Sequence, residues 1–434
     1  MANWPFLQNG KPIHITSADG VFLYTDDGRE ILDGAGGAIV SNIGHGRTEV
    51  ADVARDSVLK LDYIIPPWNC DEREALVERL QKSWLPPEFN RFHFTSGGSE
   101  AIESAMRIAQ MYFAAKNQPQ KYKIVGRDIS YHGTTQTTMA IGGHQVRKQG
   151  IEHTLPAYPI IPTPYTLRCE SEKPAEFYVE AFQRILEVEG PDTVAAFLGE
   201  PIIGASGGAM VPPDGYWEGI RELCDRYDVL WICDEIMTGF GRTGTKWGYQ
   251  HWPALPDFII SGKGLAAGYA PINAVFSKNT IAETIEQVPG LAVMFHTYGS
   301  HPSGCAIADK VLEIMEREDL VSKADRMGQV LEQKLQSAFS NHPHVAESRG
   351  KGLLHAIEVV KNRSTLERFE ISDNVTGRLI SKCFENGVHF YGAGTGIVRD
   401  VVLIGPPLTV NESHIDQLVN VLSDAVDDVM QEVN

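Results

Sequence analysis

Between residues 91 and 276 short apolar runs alternate with stretches of helical spacing. Arg91–Thr95, Lys123–Val125, Val194–Gly199, Val229–Cys233, Phe258–Ile260 and Ala274–Phe276 are rich in aliphatic and aromatic residues and are bounded by polar or glycine-containing segments, so they read as strands. Helical patterns start at about Ser99 and run across Tyr216–Tyr227. Apolar strands separated by helices predict an α/β fold built on a parallel or mostly parallel sheet with helices against it. Nearer the N-terminus, Val21–Leu32 holds Thr25-Asp26-Asp27-Gly28 between two apolar runs, the signature of a hairpin with an Asp-Gly turn. Beyond about residue 310 a long helical pattern leads to the segment Gly352–Val360, another helix near Asn374–Asn386, a strand at Val401–Ile404 and a terminal helix from Glu412. The expected division is an N-terminal segment of a small domain (1–60), a large sheet domain (61–310) and a C-terminal, smaller α+β domain (311–434).

Composition narrows the classes. The 434 residues, 43% hydrophobic and 22% charged, can bury a large core, and no run approaches the roughly 18 apolar residues of a membrane span. No membrane partner is expected. The opening Met-Ala-Asn-Trp-Pro lacks the basic and then apolar regions of a secretion signal, which leads to the expectation of a cytoplasmic protein. A formal charge of −18 without any basic stripe argues against nucleic acid. The six cysteines are scattered, with no C-x-x-C pair, and read as reduced thiols; no metal site is expected.

Four segments carry chemistry. Phe94-Thr95-Ser96-Gly97-Gly98-Ser99-Glu100-Ala101 leaves a strand, crosses two glycines and enters a helix, which is how a backbone cradles a phosphate; it would also serve as a Ser-capped helix start supported by Glu103. Tyr131-His132-Gly133 follows a strand and can present an aromatic face to a planar ring, or simply pack. Asp234 ends an apolar run, so its carboxylate should emerge at the carboxyl edge of the sheet, with Glu235 pointing the other way and Ile236 back toward the same side. There a carboxylate can hold a pyridine nitrogen protonated; a capping or turn role is the plainer alternative. Lys263, between Gly262 and Gly264 after a buried strand, sits where burial favours the neutral, nucleophilic amine. It lies 29 residues after Asp234, one crossover along the sheet. A fifth segment, Gly239-Phe240-Gly241-Arg242-Thr243-Gly244, satisfies G-x-G-x-x-G but has no obvious helix after it, so a dinucleotide site is not expected.

Taken in order, Ser-Gly-Gly-Ser-Glu-Ala (96–101), Tyr-His-Gly (131–133), Gly-Glu-Pro (199–201), Asp-Glu-Ile-Met-Thr-Gly-Phe-Gly-Arg-Thr-Gly (234–244), Ser-Gly-Lys-Gly (261–264) and His-Thr-Tyr-Gly-Ser-His-Pro (296–302) resemble the motif series of class III aminotransferases. The resemblance spans nearly the whole chain. It implies a fold-type I transferase dependent on pyridoxal 5′-phosphate (PLP), with a large seven-stranded-type sheet domain that binds the cofactor, and a homodimer or dimer of dimers with sites at the subunit interface. By the same resemblance Gly98 and Ser99 bind the phosphate, Tyr131 and His132 belong to the cofactor site, Asp234 pairs with the pyridine nitrogen and Ile236 covers the other face. Lys263 carries the cofactor and shuttles the proton, Thr297 reaches the phosphate of the partner subunit's cofactor, and Glu200 lies near the substrate.

The chain departs from the family near its end. Ornithine-type members have an arginine three residues before the Pro-Pro pair, where this chain has Leu403; members acting on ω-amino acids or amines often have one about ten before, where it has Gly396. Arg399, seven before Pro406, is the nearest candidate for a substrate carboxylate, or else a surface arginine at a strand end. The expectation is a ping-pong transaminase that moves an amino group, by class one on a terminal or non-α carbon, to a 2-oxo acid such as pyruvate. A racemase or aminomutase on the same scaffold is the alternative.

Overall fold

The computed structural model describes residues 12–291, 293 and 295–433. The reading of the first five residues, and residues 1–11 of the 1–60 segment, lie outside this range.

Seven strands form the central sheet, in the spatial order Phe89–Thr95, Asn273–Lys278, Phe258–Ser261, Leu230–Asp234, Val194–Gly199, Lys123–Arg127, Ile160–Ile161. Only Asn273–Lys278 runs antiparallel to its neighbours; the other adjacent pairs are parallel. This is the expected mostly parallel α/β sheet. Ile160–Ile161 escaped the sequence reading because a two-residue edge strand has no period to detect.

Side chains alternate across the sheet and sort each strand between two cores. Leu230 and Ile232 pack with the helix Gly98–Ala115, whereas Trp231 and Cys233 face the opposite layer. There Trp217 of the helix Tyr216–Arg226 stacks on Trp231 at 4.6 Å and 14°. Each fully buried indole removes about 150–250 Å² from water, on the order of 4–6 kcal/mol by area. This packing holds the strand that ends at Asp234.

A second, four-stranded antiparallel sheet has the order Val345–Lys351, Leu354–Val359, Val398–Ile404, Tyr391–Thr395, with the helices Leu320–Phe339, Val375–Glu385 and Glu412–Val433 in the same region. The N-terminal hairpin forms as expected, its turn closed by Gly28 N–H to the Thr25 carbonyl, with Gly28 at a φ of +85° that favours glycine. It belongs to a third sheet, Ile15–Asp19, Phe22–Thr25, Glu30–Asp33, which the C-terminal strand Val388–His389 joins in parallel. Residues from both ends of the chain thus share one layer. The helix Pro302–Arg317 runs unbroken through the boundary expected at 310.

Candidate active site

The parallel strands all end at one edge of the sheet, and the reversed strand begins there, so every loop at that edge can reach the same space. After Thr95 the helix Gly98–Ala115 starts with Gly97 as its cap and no side chain bonded there. Glu100 accepts the Ser96 N–H at 2.9 Å, and Glu103 accepts instead from Thr135 Oγ1 at 2.6 Å, so the start supported by Glu103 does not form. No described acceptor takes the Gly98 or Ser99 N–H, which leaves the helix N-terminus open to an anion. Ser99 Oγ accepts the Thr134 N–H at 3.0 Å. A Cβ on Gly133, φ +138°, would lie 2.2 Å from that oxygen, so glycine lets the next loop close on the cradle.

That loop brings Tyr131 and His132 to the edge. His132 is buried, and its Nδ1–H donates to Asp234 Oδ2 at 2.7 Å, since a carboxylate can only accept. Asp234 Oδ1 accepts the Ile236 N–H at 3.1 Å. Glu235 turns to the opposite face, as alternation requires, and accepts the N–H groups of Gly248 and Tyr249 at 2.8 Å each and the Thr238 hydroxyl at 2.5 Å. Burial raises its carboxyl to about 7.

Lys263 follows the next strand, half-buried, with a φ of +35° that costs on the order of 1–3 kcal/mol for a residue with a Cβ. Its Nζ makes no hydrogen bond to a described residue. Burial holds the amine down to about 8, against the opposing pull of Asp234 and Glu200. Glu200, after the strand Val194–Gly199, accepts the Tyr131 N–H at 3.1 Å and the Gly204 N–H at 2.8 Å, and burial pushes its carboxyl up.

These side chains meet around a cavity of about 220 Å³, lined by Gly98, Ser99, Tyr131, His132, Asp234 and Lys263, with Glu200 and Ile236 also on its wall. The set fits a phosphorylated pyridine aldehyde: an uncapped helix start for the phosphate, an aromatic and a branched aliphatic side chain for the ring, a carboxylate for the ring nitrogen, and an amine without a hydrogen-bond partner for the aldehyde.

Two residues named from the sequence fall outside this cavity, Thr297 having been expected at the partner subunit's cofactor. Thr297 is exposed and does not line this cavity. Arg399 lines a neighbouring groove, and its Nη2 donates to the Phe369 carbonyl at 3.1 Å. Leu403 is fully buried in its strand, and among the described lining residues Lys263 is the only lysine or arginine. Sequence reasoning passed over Asn273, Ala205 and Met237, which also line the cavity. Asn273 had a signal: it is the polar first residue of an apolar strand, the mirror of Asp234 at the end of one, and reversal of that strand brings it to the same edge. The Gly239–Gly244 segment forms turns followed only by the short 3-10 helix Gly248–His251, not by an α-helix; its Arg242 is buried and donates to Asn42 Oδ1 at 2.7 Å and to the carbonyls of Leu353 and Pro406 at 3.1 and 2.5 Å.

Comparison with known proteins gives a consistent result. The sequence profile described as "Aminotransferase class-III" matches residues 7–426. An uncharacterized aminotransferase of Bacillus subtilis, YodT, is 35% identical, covering 97% of this chain and 96% of the relative. The putrescine–pyruvate aminotransferase of Pseudomonas aeruginosa is 36% identical, covering 95% and 90%. Among solved structures, the omega transaminase from Pseudomonas jessenii in complex with PMP superposes with a TM-score of 0.94 at 30% identity, covering 100% of this chain and 97% of that one.

Proposed function

The chain belongs to the class III aminotransferases, and on that premise we propose that it moves a terminal or non-α amino group from an amino donor to pyruvate or a similar 2-oxo acid, with Lys263 at the centre of the chemistry. The observation that carries this reading is the Lys263 amine, without a hydrogen-bond partner among the described residues, set with Asp234 and Glu200 around one cavity. The pyruvate acceptor is supported by the Pseudomonas aeruginosa relative.

The enzyme uses PLP, which supplies an aldehyde to take up the amino group and a ring that accepts electrons from the donor carbon. Gly98 and Ser99 would hold its phosphate through the helix N-terminus, and Tyr131 and Ile236 would flank the ring. Asp234 would keep the ring nitrogen protonated, and His132 would fix the Asp234 carboxylate in place through its 2.7 Å hydrogen bond. Lys263 Nζ, near neutrality in its acidity, would take the proton from the donor's amine-bearing carbon and return it one position further on. The loop that carries Tyr131 and the Gly204 segment, both tied to Glu200, would keep water from that carbon.

The working unit of this reading is a homodimer, with Thr297 at the phosphate held by the partner subunit. Supporting it, Trp68, Phe295 and Tyr298 are 64%, 52% and 65% exposed, more apolar surface than isolated aromatics require. Tyr63 packs edge-on against Tyr298 at 6.4 Å, joining their two segments. A cytoplasmic setting is supported by six free thiols; no described helix is long and apolar enough to cross a membrane.

Borohydride reduction of cofactor-loaded enzyme followed by peptide mapping tests the centre of this reading: the label belongs on Lys263, and a label on another residue overturns it. A panel of amines with pyruvate or 2-oxoglutarate tests the rest. Conversion of a single substrate without any keto acid would instead point to a racemase or aminomutase.

A further inference from the structure

Beside the cofactor cavity, and sharing Ala205 with it, lies a groove of about 360 Å³. Arg147 enters it from the turn Gln145–Lys148 and Arg399 from the strand Val398–Ile404. The Arg147 guanidinium stands 4.7 Å over the ring of Tyr131, which walls the cofactor cavity. It forms no ion pair with a described carboxylate. Arg399 has none either: apart from its bond to the Phe369 carbonyl, its Nε is buried without a partner. Arg221 and Arg349, by contrast, are paired with carboxylates, Arg221 with Asp257 and Arg349 with Glu358, each at 2.8 Å.

Asp400 is the one acidic side chain on the described groove wall, and burial raises it to about 6. Arg368 adds positive charge near Arg399, while Arg168, also close by, is paired with Glu358 at 3.8 Å. Asn374 and Thr376 supply neutral hydrogen-bonding groups. Two guanidinium groups with unused donors bind carboxylates well, because their paired N–H groups match the two oxygens. Among the described residues that line the cofactor cavity there is no arginine, and Leu403 offers none.

We propose that this groove is the subsite for the anionic end of the amino donor, which makes the donor an amino acid whose carboxylate lies several bonds from the reacting amine. The inference rests on the reading of the cavity as the site of amino transfer: the amine enters beside Lys263, the chain passes Ala205, and the carboxylate meets Arg147 and Arg399. A short acceptor such as pyruvate does not need the groove. A diamine would place a second cation there, against the local charge.

The test uses PLP-loaded enzyme, wild type and Arg147→Gln, Arg399→Gln and the double variant, with 6-aminohexanoate and 1-aminohexane as chain-matched donors. Loss of charged hydrogen bonds should lower kcat/KM for 6-aminohexanoate about 10- to 100-fold more than for 1-aminohexane, mostly through KM. Calorimetry with hexanoate, which has no amine to react, should show binding to wild type that weakens about tenfold or more in the double variant. Equal losses for both donors, or equal hexanoate binding by wild type and double variant, would overturn the proposal. If wild type transfers no amino group from any donor, the reading of the cavity fails instead, and hexanoate binding still decides the groove.

Discussion

At the entry to the strand Leu230–Asp234, Asp257 sits between Arg221 at 2.8 Å and Lys278 at 2.7 Å and accepts the Trp231 N–H at 2.9 Å. At the exit, Asp234 receives one hydrogen bond from His132 and one from the Ile236 amide, while the amine of Lys263 pairs with neither Asp234 nor Glu200. Both clusters are buried under the same sheet. At the entry, burial alone would push the Asp257 carboxyl up, but Arg221 and Lys278 outweigh it and hold it below the ordinary carboxylate range. At the exit, burial wins at Lys263 and Glu200, and each is displaced toward its neutral form. Charges satisfied by one another stabilise a fold; charges left short of partners are available to a ligand.

Substitution of Lys263 by Ala should break this contrast most sharply. Turnover should fall on the order of 10⁴-fold, with the melting temperature of the cofactor-free protein unchanged or raised, because the lost amine is partly desolvated and has no hydrogen-bond partner among the described residues. Residual turnover within about tenfold of wild type would remove Lys263 from the chemistry. Its pH dependence provides a second check. In cofactor-free protein, acylation of Lys263 by an amine-selective reagent should rise about tenfold per pH unit up to about 8 and level off above it, since only the neutral amine reacts. A rise continuing to the ordinary lysine value would contradict the effect of burial.

Replacement of Asp234 by Asn should cost about 10²- to 10³-fold in kcat with the fold retained. Asp257→Ala should show the opposite profile: about 3 kcal/mol lost in chemical denaturation, because two cations lose their shared partner, and less than about threefold in kcat of the folded enzyme. The sign of the pH effect follows from its lowered carboxyl. The Asp257 contribution is present at neutral pH and lost as pH falls through the folded value, below the ordinary 3.8, so wild type and variant should converge in stability in acid. Among substitutions in the site itself, the smallest effect expected is that of His132→Ala, about tenfold in kcat, as Asp234 loses one charged hydrogen bond. If Asp257→Ala lowered kcat as much as Asp234→Asn, the division between the two ends of the strand would fail.

The site was legible wherever chemistry is written into a local pattern. A glycine pair before a helix, an acid at the end of an apolar run and a glycine-flanked lysine after another each place a side chain by the geometry of one strand and its loop. Gly98, Ser99, Asp234 and Lys263 line one cavity because parallel strands end at a common edge. Asn273 carried only the signal of a polar residue opening an apolar strand, and its place in the site depended on that strand running backwards; Ala205, a small residue without chemistry of its own, carried none. Ile15–Asp19 and Val388–His389 were missed as strands because short or exposed pieces of a sheet show no periodicity until their partners are known.

The sequence by itself determined the α/β class, the order of the strands along the chain, the glycine-bounded cradle and lysine, and the likeness to the class III aminotransferases. These follow from side-chain periodicity and from backbone conformations that only certain residues adopt. Tertiary structure alone decided which charges found partners: that Asp257 is ion-paired and Lys263 is not, that His132 bonds to Asp234, and that Arg399 faces a groove shared with Arg147. Electrostatic energy depends on distance and burial, and residues far apart in sequence, such as Arg147 and Arg399, acquire both only when the chain closes.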